Sequence, residues 1–283
     1  MWKLKLPDNK AALDELETAL TLKNGKAKFP LSAADKIIVQ EIYDNYETLK
    51  GVSNNKLLGA GLTIGLAEAI EAGYGEVQLN NRLEDLRNRL LVNAGLCPCC
   101  GILPADELDH HLPKSVFKAL AVYSSNLVPY CHKCNNKKRA VTGDDPAERF
   151  IHFYYDDVPE DVQFFFAVTK ITNNALEVNF ELRAIPELNA ELYGQLSFQT
   201  QRVGLNSRLA KTVNDYMSSF AFGLADSFNS GGEVAAQKFL QGNARQLQRQ
   251  FGINHWRTAL LTNLSENRLF YNGGFFVPLA LTV

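Results

Sequence analysis

The chain has 283 residues, 46% of them hydrophobic, and a formal net charge of −2, which suits a soluble globular protein with a sizeable core. This charge excludes a uniformly basic nucleic-acid-binding protein, and no apolar stretch is long enough to span a bilayer. Because the first eight residues lack the apolar core of a secretory signal, we expect a cytoplasmic protein with no membrane partner.

The first third of the chain has the pattern of amphipathic helices. Leucines recur at helical spacing after Asp8, a candidate N-cap. Ser32 and Asp35 resemble a capping box in front of a second helix, which Gly51 is expected to end. The clearest apolar face in the chain is predicted to lie in the core and consists of Leu79, Leu83, Leu86 and Leu90.

The last part of the chain combines strands with helices. Residues 162–172 and 175–183 have the composition and alternation of two strands, joined at Asn173-Asn174 as a hairpin. The pattern is helical again from Glu187 onward, with a break at Gly231-Gly232. We therefore expect an α+β fold that is mainly helical.

The cysteines give the sharpest signal in the sequence. All five lie within 38 residues, whereas the disulfides of a secreted protein would be spread along the chain. Cys97 and Cys100 form one Cys-x-x-Cys pair, and Cys131 and Cys134 form another. Two such pairs can complete a tetrahedral structural zinc site. We interpret Cys99 as a spare thiol, and leave open that it replaces one of the four ligands.

The segment from residue 97 to residue 140 is basic within an acidic protein. Its six lysines and arginines exceed its three carboxylates, so any phosphate contact is expected here. An unevenly charged, solvated surface is the alternative. Between the cysteine pairs, Asp109 offers a hard oxygen ligand next to the imidazole of His110, and Asn126 and Asn135 offer amide groups. Adjacent strand residues point to opposite faces, so Asp109 and His110 share one site only if the strand bends.

Three motifs in this segment resemble those of the HNH endonuclease family, in the family's order. They are Asp109-His110-x-x-Pro113-x-Ser115, Asn126-Leu127-Val128-Pro129, and Cys131-x-x-Cys134-Asn135-x-x-Lys138. The resemblance covers residues 97–138 and says little about the rest of the chain. It implies a ββα unit around a catalytic metal, with a structural zinc, flanked by helical segments and a β-hairpin. The regions expected are a helical one at 1–74, the HNH domain at 75–145, and an α+β one at 146–283.

The resemblance also implies roles for individual residues. His110 would be the general base that deprotonates the attacking water, and Asn126 would hold this histidine in orientation. Asp109 and Asn135 would bind the catalytic divalent metal, Mg²⁺ or Mn²⁺. Lys137 and Lys138 are candidates for contact with the scissile phosphate of nucleic acid, with a solvated helix face as the alternative.

Two further histidines lie beside these motifs. His111 stands where the family usually has an aliphatic residue, and the position of Pro113 favours His110 over His111 as the base. His132, inside the second cysteine pair, is interpreted as an exposed residue that is not a metal ligand.

The function predicted from these residues is hydrolysis of DNA phosphodiester bonds by a metal-dependent endonuclease, with RNA as the less favoured substrate. The alternative is a non-catalytic, zinc-braced module that binds nucleic acid or protein. The helical flanks resemble those of nuclease subunits in bacterial anti-phage systems such as the Septu type, which implies an ATPase partner subunit.

Overall fold

The computed structural model describes residues 1–142 and 145–281. It is a mixed α+β fold in which helices make up about 53%, which confirms the expected fold class at this level. The chain divides into a first unit, Lys3–Asp157, and a second unit, Met1–Trp2 together with the chain from Val158 onward. Within the described ranges, none of the helices combines the length and apolar character that crossing a membrane requires.

The first unit contains five α-helices and a two-stranded antiparallel sheet among its described residues. They are α1 (Ala12–Ala19), α2 (Ala33–Leu49), α3 (Ile64–Gly73), α4 (Glu84–Ala94), β1 (Glu107–His110), β2 (Leu127–Tyr130) and α5 (His132–Lys138). Short 3₁₀ turns lie at Asn55–Leu57, Tyr74–Val77, Lys118–Leu120, Ser124–Asn126 and Pro146–Glu148. In the sheet, Asp109 is opposite Val128 and His110 is opposite Leu127.

The start and end of α2 follow from local chemistry. The Ser32 hydroxyl accepts from Asp35 N at 3.1 Å, and the Asp35 carboxylate accepts from Ser32 N at 3.0 Å, so the predicted capping box is confirmed. After α2, Gly51 has a φ of 74°, and a Cβ atom there would collide with the imidazole of His152. This glycine therefore ends the helix and also lets His152 approach the backbone.

Two sequence predictions in the helical region are wrong. Asp8 does not cap α1, because Ala11 occupies the N-cap position and Asp8 accepts instead from Lys10 N at 3.1 Å. Leu79 is 62% exposed, whereas the other three leucines of the predicted apolar face are buried. The reason is that α4 begins only at Glu84, so the helical spacing does not extend back to Leu79.

The second unit consists of a hairpin and helices. Its described elements are β3 (Phe165–Thr172), β4 (Ala175–Leu182), α6 (Ala190–Arg202), α7 (Leu205–Phe251), α8 (Trp256–Glu266) and a π-type turn at Phe270–Gly274. The predicted hairpin turn is confirmed, since Asn173 and Asn174 have φ values of 50° and 63° between the paired strands.

The long helix α7 is broken where the sequence predicted it. Gly231 and Gly232 have non-helical backbone angles, and the rings of Phe220 and Phe239 lie 6.4 Å apart. In a straight helix these phenylalanines would be separated by about 28 Å along the axis. The two halves of α7 therefore fold back and pack against each other.

Candidate functional site

The four cysteines of the two pairs come together in the first unit. Cys97 and Cys100 lie in the turn that follows α4, Cys131 is the N-cap of α5, and Cys134 is in its first turn. All four are buried, and their Sγ atoms lie within 4.8 Å of one another. Hydrogen bonds from the Cys131, Cys134 and Cys97 side chains lower the pKa of Cys100, which favours a thiolate in the cluster.

The geometry of this cluster fits a tetrahedral metal. Zinc–sulfur bonds of about 2.3 Å in a tetrahedron place neighbouring sulfur atoms about 3.8 Å apart. The Sγ atoms of Cys100 and Cys131 are 3.8 Å apart. The four thiols can therefore hold a metal such as zinc. Cys99 is equally buried, at 1% exposure, but it does not belong to this cluster.

One face of β1 points toward α5 and carries two carboxylates. Glu107 and Asp109 are half-buried and alternate with the buried Leu108 and His110. Glu107 accepts from Asn135 Nδ2 at 2.7 Å and lies 2.7 Å from His132 Nδ1, and the hydrogen bond between Glu107 and His132 raises the pKa of His132. Sequence reasoning missed Glu107, although its position two residues before Asp109 on a strand could have indicated it.

Lys138 is buried, whereas the sequence predicted either contact with a phosphate or a solvated helix face. Its side chain is 1% exposed, and its Nζ lies 2.9 Å from Asp109 Oδ2 and donates to His110 O at 2.8 Å. Burial raises the pKa of Asp109, and the Lys138 ammonium opposes that rise. Lys138 thus neutralises a candidate metal ligand, whereas Lys137 is exposed on α5.

The imidazole of His110 lies on the opposite face of β1. Its Nε2 is 2.8 Å from Ala121 O, and the ring of Tyr74 packs edge-on at 4.3 Å. Burial lowers the pKa of His110 to about 4, so the ring is neutral near pH 7. A carbonyl can only accept, so Nε2 carries the proton and the lone pair is on Nδ1. That neutral form is the one a general base requires.

Asn126 is linked to His110 by hydrogen bonds to the backbone of the intervening loop. Its side chain is fully buried, its Oδ1 accepts from Leu112 N at 2.8 Å, and its Nδ2 donates to Leu112 O at 3.1 Å and Leu120 O at 3.2 Å. Leu120 precedes Ala121, whose carbonyl accepts the hydrogen bond from His110. Asn126 therefore fixes the segment that holds the histidine.

His111 belongs to a different environment from His110. It is 4% exposed and its ring packs against that of His152 at an interplanar angle of 32°, with centroids 4.0 Å apart. In the described part of the chain its Nδ1 has no hydrogen-bond partner. Burial lowers the pKa of His111 well below its usual value. His111 is thus part of the core next to the site.

His152 should make the first unit sensitive to acid. Its pKa is lowered well below the usual value because burial, and next Arg149 and Lys138, disfavour the imidazolium. Below about pH 6.5 the unfolded chain takes up a proton here that the folded chain does not, so the free energy of unfolding falls with a slope that rises from about 0.7 kcal/mol per pH unit at pH 6.5 toward about 1.4 at pH 5. We expect this contribution to the slope, measured by urea unfolding between about pH 6.5 and 5, to be absent in His152→Gln. Equal slopes in the two proteins would contradict the prediction.

The structure brings some predicted site residues together and separates others. Asp109 and Asn135 both lie where β1 faces α5, next to Glu107, but the pairing of β1 with β2 is regular from Glu107 to His110. The bend that would put Asp109 and His110 on one face is therefore not there. An open cleft of about 710 Å³ next to α5 is lined in part by Glu107, His132, Asn135, Arg87 and Arg139.

Comparisons with protein-family models, with curated proteins and with solved structures find no match for this chain. What the chain does is therefore inferred from its own residues.

Proposed function

We propose that this protein is a metal-dependent endonuclease of the HNH type, which hydrolyses phosphodiester bonds of DNA. The observation that carries the proposal is the group of oxygen donors between β1 and α5. A neutral histidine ends the same strand and lies on its opposite face. Asp109, Glu107 and Asn135 supply the donors, and His110 supplies the lone pair.

The order of elements supports this proposal. β1, β2 and α5 follow one another as strand, strand and helix, the order of a ββα unit. One cysteine pair precedes β1, and the other lies at the start of α5. A zinc ion held by the two pairs would tie the entry of the hairpin to the helix, so we infer a structural role for it.

The donor set suits a hard divalent cation. Carboxylate and amide oxygens are the ligands that Mg²⁺ and Mn²⁺ prefer. When bound, such a cation supplies charge stabilisation for the phosphate and the leaving oxygen. Asp109 forms an ion pair with the Lys138 ammonium. To bind a metal, the Asp109 carboxylate would have to contact Lys138 and the cation together, or replace Lys138 by the cation. Glu107 then becomes a candidate third ligand, beside Asp109 and Asn135.

The experiment that tests the proposal is nicking of supercoiled plasmid DNA in Mg²⁺ or Mn²⁺. We expect the unmodified protein to nick the plasmid, and Asp109→Ala and Asn135→Ala to lose activity while keeping their zinc. Asp14→Ala, which removes an exposed carboxylate of α1, is the matched control and should remain active. RNA of the same sequence shows which nucleic acid is the substrate.

One set of observations favours the alternative, a zinc-braced module that binds nucleic acid without cutting it. Asp109 is engaged by Lys138, and the His110 ring lies across β1 from Glu107 and Asn135. This alternative predicts DNA binding that is unchanged in His110→Ala, with no cleavage by either protein under any divalent metal. That outcome would overturn the nuclease proposal.

A role in anti-phage defence with an ATPase partner subunit stays a prediction. Expression with neighbouring genes and purification of the chain would test it. Co-purification of an ATPase that stimulates the nicking activity is the expected result.

A further inference from the structure

Asn126 is held from outside the β1–β2–α5 segment by Tyr46, in the last turn of α2. Tyr46 is completely buried. Its hydroxyl oxygen lies 3.1 Å from Asn126 Oδ1 and 2.9 Å from His152 Nε2, with a longer contact of 3.4 Å to Ser125 O. One phenol therefore joins α2, the loop before β2 and the segment after α5.

The direction of these hydrogen bonds follows from the donors available. His152 Nδ1 accepts from Tyr154 N at 3.4 Å, so the neutral ring carries its proton on Nε2. Nε2–H then donates to the Tyr46 oxygen, and the Tyr46 hydroxyl donates to Asn126 Oδ1. Because Oδ1 receives this bond and the one from Leu112 N, the Asn126 amide cannot turn over without losing both.

A second contact from α2 fixes the start of the same loop. The Glu47 carboxylate accepts from Tyr123 Oη at 2.5 Å and from Asn9 Nδ2 at 2.9 Å through Oε1. It accepts from Tyr155 Oη at 2.6 Å through Oε2. Consecutive residues of α2 thus hold the first and last residues of the segment 123–126, and Asn126 passes this constraint to the Leu120 carbonyl.

We propose that Tyr46 and His152 are positioning residues of the candidate active site: through Asn126 they hold the loop whose Ala121 carbonyl orients the imidazole of His110. The effect of Tyr46 and His152 on catalysis rests on the proposed nuclease function. Their effect on the orientation of the His110 ring does not, and each effect can be measured without the other. Helix α2 then belongs to the catalytic unit.

Tyr46→Phe tests the proposal by removing one hydroxyl group. Tyr43→Phe is a matched control: Tyr43 lies one turn earlier in α2, is also buried, and its hydroxyl has no hydrogen-bond partner in the described residues. We expect kcat for plasmid nicking to fall roughly 10- to 100-fold in Tyr46→Phe, with little change in KM, and to stay unchanged in Tyr43→Phe.

The second readout is the ¹⁵N signals of the His110 ring, which report its tautomer and hydrogen bonding without any cleavage. They should shift in Tyr46→Phe and not in Tyr43→Phe. His152→Leu should shift them too. In His152→Gln, whose side chain can still donate to Tyr46, the signals should stay where they are in the unmodified protein. If Tyr46→Phe does not fold, the comparison of His152→Leu with His152→Gln still tests whether these residues position the His110 ring.

Unchanged His110 signals in both Tyr46→Phe and His152→Leu would overturn the proposal. Shifted signals in a protein that cuts no nucleic acid would keep the positioning of His110 and reject the nuclease function.

Discussion

Replacing Cys134 with alanine should abolish zinc binding by the four cysteines and, with it, the native structure of the first unit. The Cys134 side chain is fully buried and completes the set of four thiols. Binding of structural zinc contributes about 10–16 kcal/mol of apparent free energy in small zinc domains. The whole stability of a domain is only about 5–15 kcal/mol, so a unit that loses this ion has little left to hold it folded.

Cys99→Ala is the matched control for this substitution. It removes the same atoms from a residue that is just as buried, but from outside the cluster. We expect it to keep one zinc per chain and to lose no more than about 1–2 kcal/mol of unfolding free energy. Zinc is measured by elemental analysis and folding by near-ultraviolet circular dichroism. A folded, zinc-loaded Cys134→Ala protein would show that Cys99 can replace a ligand, and Cys99→Ala in that background would then remove the zinc.

What the sequence predicted correctly about the fold is local. The capping box of Ser32 and Asp35, the Asn173-Asn174 turn and the break at Gly231-Gly232 each depend on residues that are close together in the chain. The sequence also predicted that the two cysteine pairs lie close together, but for a different reason: two Cys-x-x-Cys pairs have the spacing of ligands in a tetrahedral zinc site. Leu79 was misplaced because periodicity alone does not show where a helix begins.

What the sequence did not predict depends on contacts between distant residues. Tyr46 reaches Asn126 across 80 positions, so nothing local marks the tyrosine as part of the site. Residues 3–74 and the expected HNH domain also belong to one compact unit, Lys3–Asp157. The burial of Lys138 likewise follows from its pairing with Asp109, which helical periodicity cannot reveal.

His110→Ala should leave a folded, zinc-loaded protein that cleaves DNA roughly 10²–10⁴-fold more slowly, the range expected for loss of a general base. His111→Leu is the comparison that distinguishes the two adjacent imidazoles. Leucine fills a similar volume, and His111 Nδ1 has no partner in the described residues, so no hydrogen bond is lost at that atom. We expect His111→Leu to change stability modestly and to retain its cleavage rate. If His111→Leu lost cleavage and His110→Ala kept it, His111 would be the general base.

The face of β1 that carries the base is tested by Glu107→Gln. His110 and Glu107 lie on opposite faces of this strand, and only Glu107 borders the open cleft. If His110 takes the proton, Glu107→Gln weakens metal binding, and its activity recovers at higher Mn²⁺ concentration, whereas that of His110→Ala does not. If Glu107→Gln is inactive at every Mn²⁺ concentration while His110→Ala still cleaves, the water is activated in the cleft. The histidine then serves only to hold the loop after β1, through its bond to Ala121.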